Sequence, residues 1–142
     1  MKHLRLASNI TLMVSAILLL FTLAACEKEH HDHDHDDSDK TAPELTIRSP
    51  NDKQVFNQGD TMYIKGTVSD ASLHELSITL RNVKDSSILY STAPVVHALN
   101  NYTINTYWVC NVADHTNATL TITAHDHSEN KTVLVRSLHI MP

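Results

Sequence analysis

The 142-residue chain reads as an all-β protein, an antiparallel β-sandwich of about seven short strands behind a leader and a polar tether. Three observations predict this. Apolar and polar residues alternate from Glu44 to the C-terminus in short runs, recurring about every ten residues and separated by turn residues. No segment after residue 26 carries a helical period. Threonine fills many of the outward positions, as a half-solvated sheet favours.

The leader comes first. Met1 to Arg5 is a short basic head, and Ile10 to Leu23 is an apolar run interrupted by Thr11, Ser15 and Thr22. That run is short for a spanning helix of about 20 residues, and the chain turns strongly polar right after it, which is the plan of an export signal. Leu23-Ala24-Ala25-Cys26 closely resembles the lipobox of bacterial lipoproteins. The resemblance implies that residues 1–25 are a lipoprotein signal peptide, cleaved before Cys26. Cys26 then carries a diacylglyceryl group, and the new amino terminus a fatty acid such as palmitate. Several acyl chains make a stable membrane anchor, because each buried methylene contributes about 0.8 kcal/mol. The acidic residues directly after the cysteine resemble the surface-export signals of some Gram-negative lipoproteins, implying an outer-membrane location.

Residues 26–42 follow as a tether. His30, His31, His33 and His35 are interleaved with Asp32, Asp34, Asp36 and Asp37. Such a run cannot bury enough apolar surface to fold, so a solvated spacer is expected. Neutral imidazoles beside carboxylates are also ligands for divalent transition metals, with modest affinity because a mobile tract must be ordered to bind.

The domain is expected over residues 43–142. Leu45 to Arg48 is the first strand, stopped by Ser49-Pro50-Asn51-Asp52, and Val55-Phe56 is a short edge piece. Met62, Ile64, Gly66 and Val68 alternate along the next strand, then Leu76, Ile78 and Leu80. Ile88 to Tyr90 marks another, and Tyr102, Ile104, Thr106 and Trp108 the one after. Leu120, Ile122 and Ala124 precede the last, where Val133, Val135, Leu138 and Ile140 change parity as a bulge would make them.

Ser49-Pro50-Asn51-Asp52, the run from Gly59 to Asp70 and the run from Leu73 to Leu80 resemble bacterial immunoglobulin-like domains. Ala124-His125-Asp126-His127-Ser128-Glu129-Asn130 resembles their Ala-x-Asp-x-x-Gly-Asn turn, with Glu129 in place of the glycine. With its lipobox and histidine tract, the chain is similar to short Ig-like lipoproteins of Gram-negative bacteria. That likeness implies an Ig-like sandwich and supplies no activity.

Charge and composition exclude several classes. Without residues 1–25 the chain keeps nine basic residues against sixteen acidic, a net −7, of which residues 27–40 hold −5. No basic patch stands out, so nucleic acid is not expected as a partner. Only Gly59 and Gly66 are glycines, too few for a phosphate-cradling loop. Gly-x-Ser-x-Gly and His-Glu-x-x-His are missing, and no enzyme is expected. With Cys26 lipidated, Cys110 has no disulfide partner and reads as a small buried hydrophobe at a strand end.

The domain also carries candidate ligands. His125 and His127 are two apart, so along an extended strand their side chains share one face about 6.6 Å apart. Both are expected outward, with Glu75 on the neighbouring strand near the same end, as an open zinc site uses. Antiparallel Ig-like topology places Asp70, His74, His97, His125 and His127 at one pole, where the tether enters, and His115 and His139 at the other. Asp70 and Asp126 are expected to bond loop backbone. The function these features predict is a lipid-anchored envelope protein that binds zinc, or a similar ion such as copper or nickel. It would sequester the ion or pass it to an envelope transport protein. The alternative is a structural or adhesive Ig-like module on a charged spacer.

Overall fold

A computed structural model describes residues 39–142. Eight strands form: β1 Glu44–Ser49, β2 Val55–Asn57, β3 Thr61–Ser69, β4 Leu73–Asn82, β5 Ile88–Thr92, β6 Asn101–Val109, β7 Thr116–Asp126 and β8 Lys131–Met141. They make a three-stranded sheet, β1-β3-β6, and a five-stranded sheet, β2-β8-β7-β4-β5. The fold is the expected all-β, Ig-like sandwich. The eighth strand is the Val55-Phe56 edge piece, which pairs in parallel with β8 through Val55↔His139 and Phe56↔Ile140. β5 pairs with β4, through Ile78↔Thr92 to Arg81↔Ile88.

The alternation read from sequence sets which face each strand buries. Met62, Ile64 and Val68 of β3 and Ile104 of β6 are buried in a core shared with Leu76, Ile78 and Leu80 of β4. Leu120, Ile122 and Ala124 of β7 complete its centre. Each large aliphatic side chain so buried contributes about 1.5–3 kcal/mol. Trp108 packs half-buried at the core's edge. Tyr90 and Thr106 join the two sheets by a 2.6 Å hydroxyl hydrogen bond. Gly66 lies opposite Ile47, where a Cβ would collide with the Thr46 carbonyl oxygen and stand 2.7 Å from Ile47 Cδ1. Glycine therefore lets β1 close on β3.

One expectation about β8 is corrected. No bulge interrupts it: its ladder with β7 runs unbroken from Thr116↔Ile140 to His125↔Lys131. Leu138 and Ile140 are buried, so continuous parity turns Leu134 and Arg136 inward and leaves Val133 and Val135 outward, about half exposed. The apolar pair Val133/Val135 misled because β-branched residues also suit the solvated face of a sheet.

The chain just before β1 is held to the sandwich by two hydrogen bonds. Asn130 Nδ2 donates to the Asp39 carbonyl at 3.1 Å and Thr132 Oγ1 to the Pro43 carbonyl at 2.6 Å. These bonds tie the incoming chain to the β7–β8 turn.

Candidate metal centre

Three connections meet at the pole where β3 ends and β4 begins. Asp70 Oδ1 accepts the Ser72 backbone N–H at 2.8 Å, closing the β3–β4 turn as an aspartate turn does. β4 then opens on a bulge: Leu73 pairs with Asp126 and Glu75 with His125, so His74 is the extra residue. Without the bulge, the parity of Leu80, Ile78 and Leu76 would carry His74 into the core. With it, Leu73 takes the buried place and His74 is left exposed, re-aimed as bulges re-aim side chains.

His97 lies on the β5–β6 connection, which is pinned to the start of β4 on both sides. Ala98 N–H donates to the Leu73 carbonyl at 3.0 Å, and Leu73 N–H to the Leu99 carbonyl at 3.3 Å. Val96, buried beside it, anchors the loop in the core. Ala98 holds a left-handed φ of 63°, a conformation that costs a residue with a Cβ about 1–3 kcal/mol. His127 follows the last residue of β7, and its N–H donates to the Ser72 carbonyl at 3.1 Å. Beneath it, buried Asp126 accepts the Ser128 and Asn130 N–H groups on Oδ1, each at 2.8 Å. Its Oδ2 takes Asn130 Nδ2 at 2.7 Å. Glu129 has a left-handed φ of 63°, so the turn keeps the backbone shape that glycine adopts without strain.

The result is a cluster of three imidazoles. Ring centroids stand 4.6 Å apart for His74–His127, 4.7 Å for His97–His127 and 5.3 Å for His74–His97. One nitrogen from each lies within 4.8 Å of the others. A tetrahedral zinc ion 2.0–2.1 Å from each nitrogen needs them about 3.3 Å apart, so the rings must draw in by at most about 1.5 Å. His74 and His97 are exposed, and rotation about their side-chain bonds covers that distance. The donor set suits zinc, copper or nickel.

The sequence-predicted ligands divide accordingly. His74, His97 and His127 come together. His125 and Glu75 do not join them: they are direct cross-strand partners on the outward face, with Lys131 opposite His125 on its other side. β7 ends at Asp126, so His127 lies in the turn and not on the strand that carries His125. Cys26, His30, His31, His33 and His35 lie outside the described residues.

Asp39, Asp70 and Asp126 form a second group with carboxylate oxygens within 4.8 Å of one another. Asp70 and Asp126 both bond loop backbone there, in the fold-holding role expected of them, and Asp39 joins from the incoming chain. Sequence reasoning missed Asp39 and the bulge. The signal for the bulge was present: Leu73 and Leu76 are both apolar but three residues apart, which breaks period two.

At the opposite pole His115 and His139 stack with centroids 5.7 Å apart, and His139 Nδ1 lies 2.9 Å from Asn117 Oδ1. Cys110 is buried at the end of β6, as read from sequence, and desolvation pushes its thiol pKa above the ordinary 9.0, with the Asp60 carboxylate adding to the shift.

No protein-family model matches the chain, and no curated protein matches it. Among solved structures it is similar to an engineered protein, at 12% identity and a TM-score of 0.49, over 70% of this chain and 20% of that one. It is also similar to a β-glucosidase from Listeria innocua solved with glucose, at 14% identity and a TM-score of 0.44, over 72% of this chain and 16% of that one. The chain therefore spans a fifth or less of the length of these two structures.

Proposed function

We propose that the protein is a lipid-anchored component of the bacterial cell envelope that binds a divalent transition metal, zinc foremost, for sequestration or hand-over. The observation that carries this reading is the convergence of His74, His97 and His127, three residues far apart in sequence, brought within 4.8 Å by a bulge, a pinned loop and a turn. The histidine tract supports it by adding weaker ligands to the same chain, and the lipobox supports an anchor at Cys26 on the outer membrane. An envelope transport protein is the proposed recipient. The test is elemental analysis of untagged protein purified from membranes of zinc-replete cells, with mass spectrometry of the N-terminal peptide. Stoichiometric or greater zinc, copper or nickel and a diacylglyceryl adduct on Cys26 are expected. Metal-free protein contradicts the binding role.

One observation favours a structural or adhesive role instead. The outward face of the three-stranded sheet exposes Tyr63 and Tyr107, at 51% and 61%, with rings 6.3 Å apart. Aromatic rings on an open sheet face suit contact with a partner. Metal-free protein from the same preparation would favour that reading.

A further inference from the structure

The outward face of the three-stranded sheet is aromatic at one end and cationic beside it. Tyr63 and Tyr107 are direct cross-strand partners on β3 and β6, and the next pair on the same face is Lys65 and Asn105. Lys65 Nζ lies 4.8 Å from the Tyr63 ring centroid, so its charge is held beside the two rings. On β1 the register shifts between Ile47 and Ser49, which leaves Arg48 as the extra residue, exposed next to the Ser49↔Lys65 pair. Arg48, Lys65, Thr67, Thr103 and Asn105 line a shallow groove of about 480 Å³, the size of a small-ligand site. Among the described residues no carboxylate lines it: Glu44, the acid of β1, stands opposite Ser69, four residues along β3 from Lys65. Two cations gathered in one groove of a net-acidic chain favour an anionic ligand there.

The rest of the face narrows the chemistry further. A tyrosine ring has a negative face, and a pyranose ring offers it a flat row of weakly positive C–H bonds. Thr67, Thr103 and Asn105 supply neutral donors and acceptors for the hydroxyls at the sugar's rim. Nucleic acid would call for a basic stripe, and two cations do not make one. We propose that this face binds an acidic oligosaccharide, with a sugar ring stacked on the Tyr63/Tyr107 pair and a uronate carboxylate paired to Arg48 and Lys65. The inference rests on the adhesive reading of this sheet face, gives that reading a ligand class, and is independent of the histidine cluster.

Calorimetric titration of the mature full-length chain in detergent gives the test. The probes are a galacturonate trisaccharide, its carboxyl-reduced neutral counterpart and a hyaluronate tetrasaccharide. EDTA is present throughout, so that no bound ion bridges protein and carboxylate. One saturable site is expected for at least one of the two acidic probes. Tyr107→Ala, and Arg48→Gln with Lys65→Gln, should each weaken it about fivefold or more. These side chains are exposed, and circular dichroism checks that the variants keep their sheet. Silence with both acidic probes, or affinity unchanged by Tyr107→Ala, would overturn the site. Equal binding of the galacturonate trisaccharide and its neutral counterpart would overturn the pairing with a carboxylate. Tighter binding of a thymidine oligonucleotide would overturn the sugar assignment. So would a dimer in analytical ultracentrifugation that Tyr107→Ala breaks, although the adhesive reading would then stand with a second copy as the partner.

Discussion

Two residues at the site's pole hold a left-handed backbone without being glycine. Glu129 sits where the resembled turn has glycine, at φ 63°. Glu129→Gly removes a strain of about 1–2 kcal/mol and adds about 0.4–1 kcal/mol of unfolded-state entropy. A net stabilisation of about 0.5 kcal/mol is expected in chemical denaturation, and a loss of stability would mean the Glu129 side chain contributes more than its backbone costs. Cys110 supplies a second residue-scale prediction. Its folded thiol titrates above the 9.0 of an exposed one, so the folded state holds its proton where the unfolded state loses it. The stability this group contributes is intact below pH 9.0 and falls as the pH rises above it. Thiol-reactive reagents should label Cys110 at neutral pH only on unfolding. Rapid native labelling would contradict its burial. The buried role of this cysteine was legible because a lone apolar-sized residue ends an alternating strand. The partnership of His74 with His97 was not, since it depends on a bulge that shifts one side chain.

Strands were the most legible elements. Period two marked β3, β4, β6 and β7 because each buries one face, and a slip of one residue would expose all of it. β8 was misread where Val133 and Val135 occupy the solvated face, since apolar identity alone does not fix parity. The sheet of β1, β3 and β6 closes through Gly66, where an added Cβ would run into β1 backbone. Gly66→Ala should therefore cost about 2–3 kcal/mol or more, because the clash is with backbone that cannot rotate aside. Thermal or urea unfolding measures this, and a cost within about 0.5 kcal/mol would show that β1 yields easily. The histidine cluster could be located to a pole by antiparallel topology. Its membership could not be fixed, because a bulge and two connections, not regular strand faces, aim the three rings.

The molecule as a whole divides its tasks along the chain. The lipobox-like Leu23-Ala24-Ala25-Cys26, the acidic histidine tract and the nearly neutral domain follow one another in order. Cys26→Ser should leave the protein unprocessed by lipoprotein maturation and lower its diacylglyceryl content to none in a mass spectrum. A serine variant that is still cleaved at the same bond and membrane-bound would argue for another anchor. Within the domain, the fold brings β3–β4, β5–β6 and β7–β8 to one end, and backbone hydrogen bonds between them hold the three histidines near one another. Holding ligands close in advance lowers the ordering entropy lost on binding. The most direct test is calorimetric titration of zinc into the mature chain lacking the four tract histidines, compared with the same chain carrying His97→Ala and His127→Ala. One saturable zinc site in the first, weakened by more than about tenfold in the second, is the predicted result. Identical isotherms for the two, or no binding heat in the first, would contradict it.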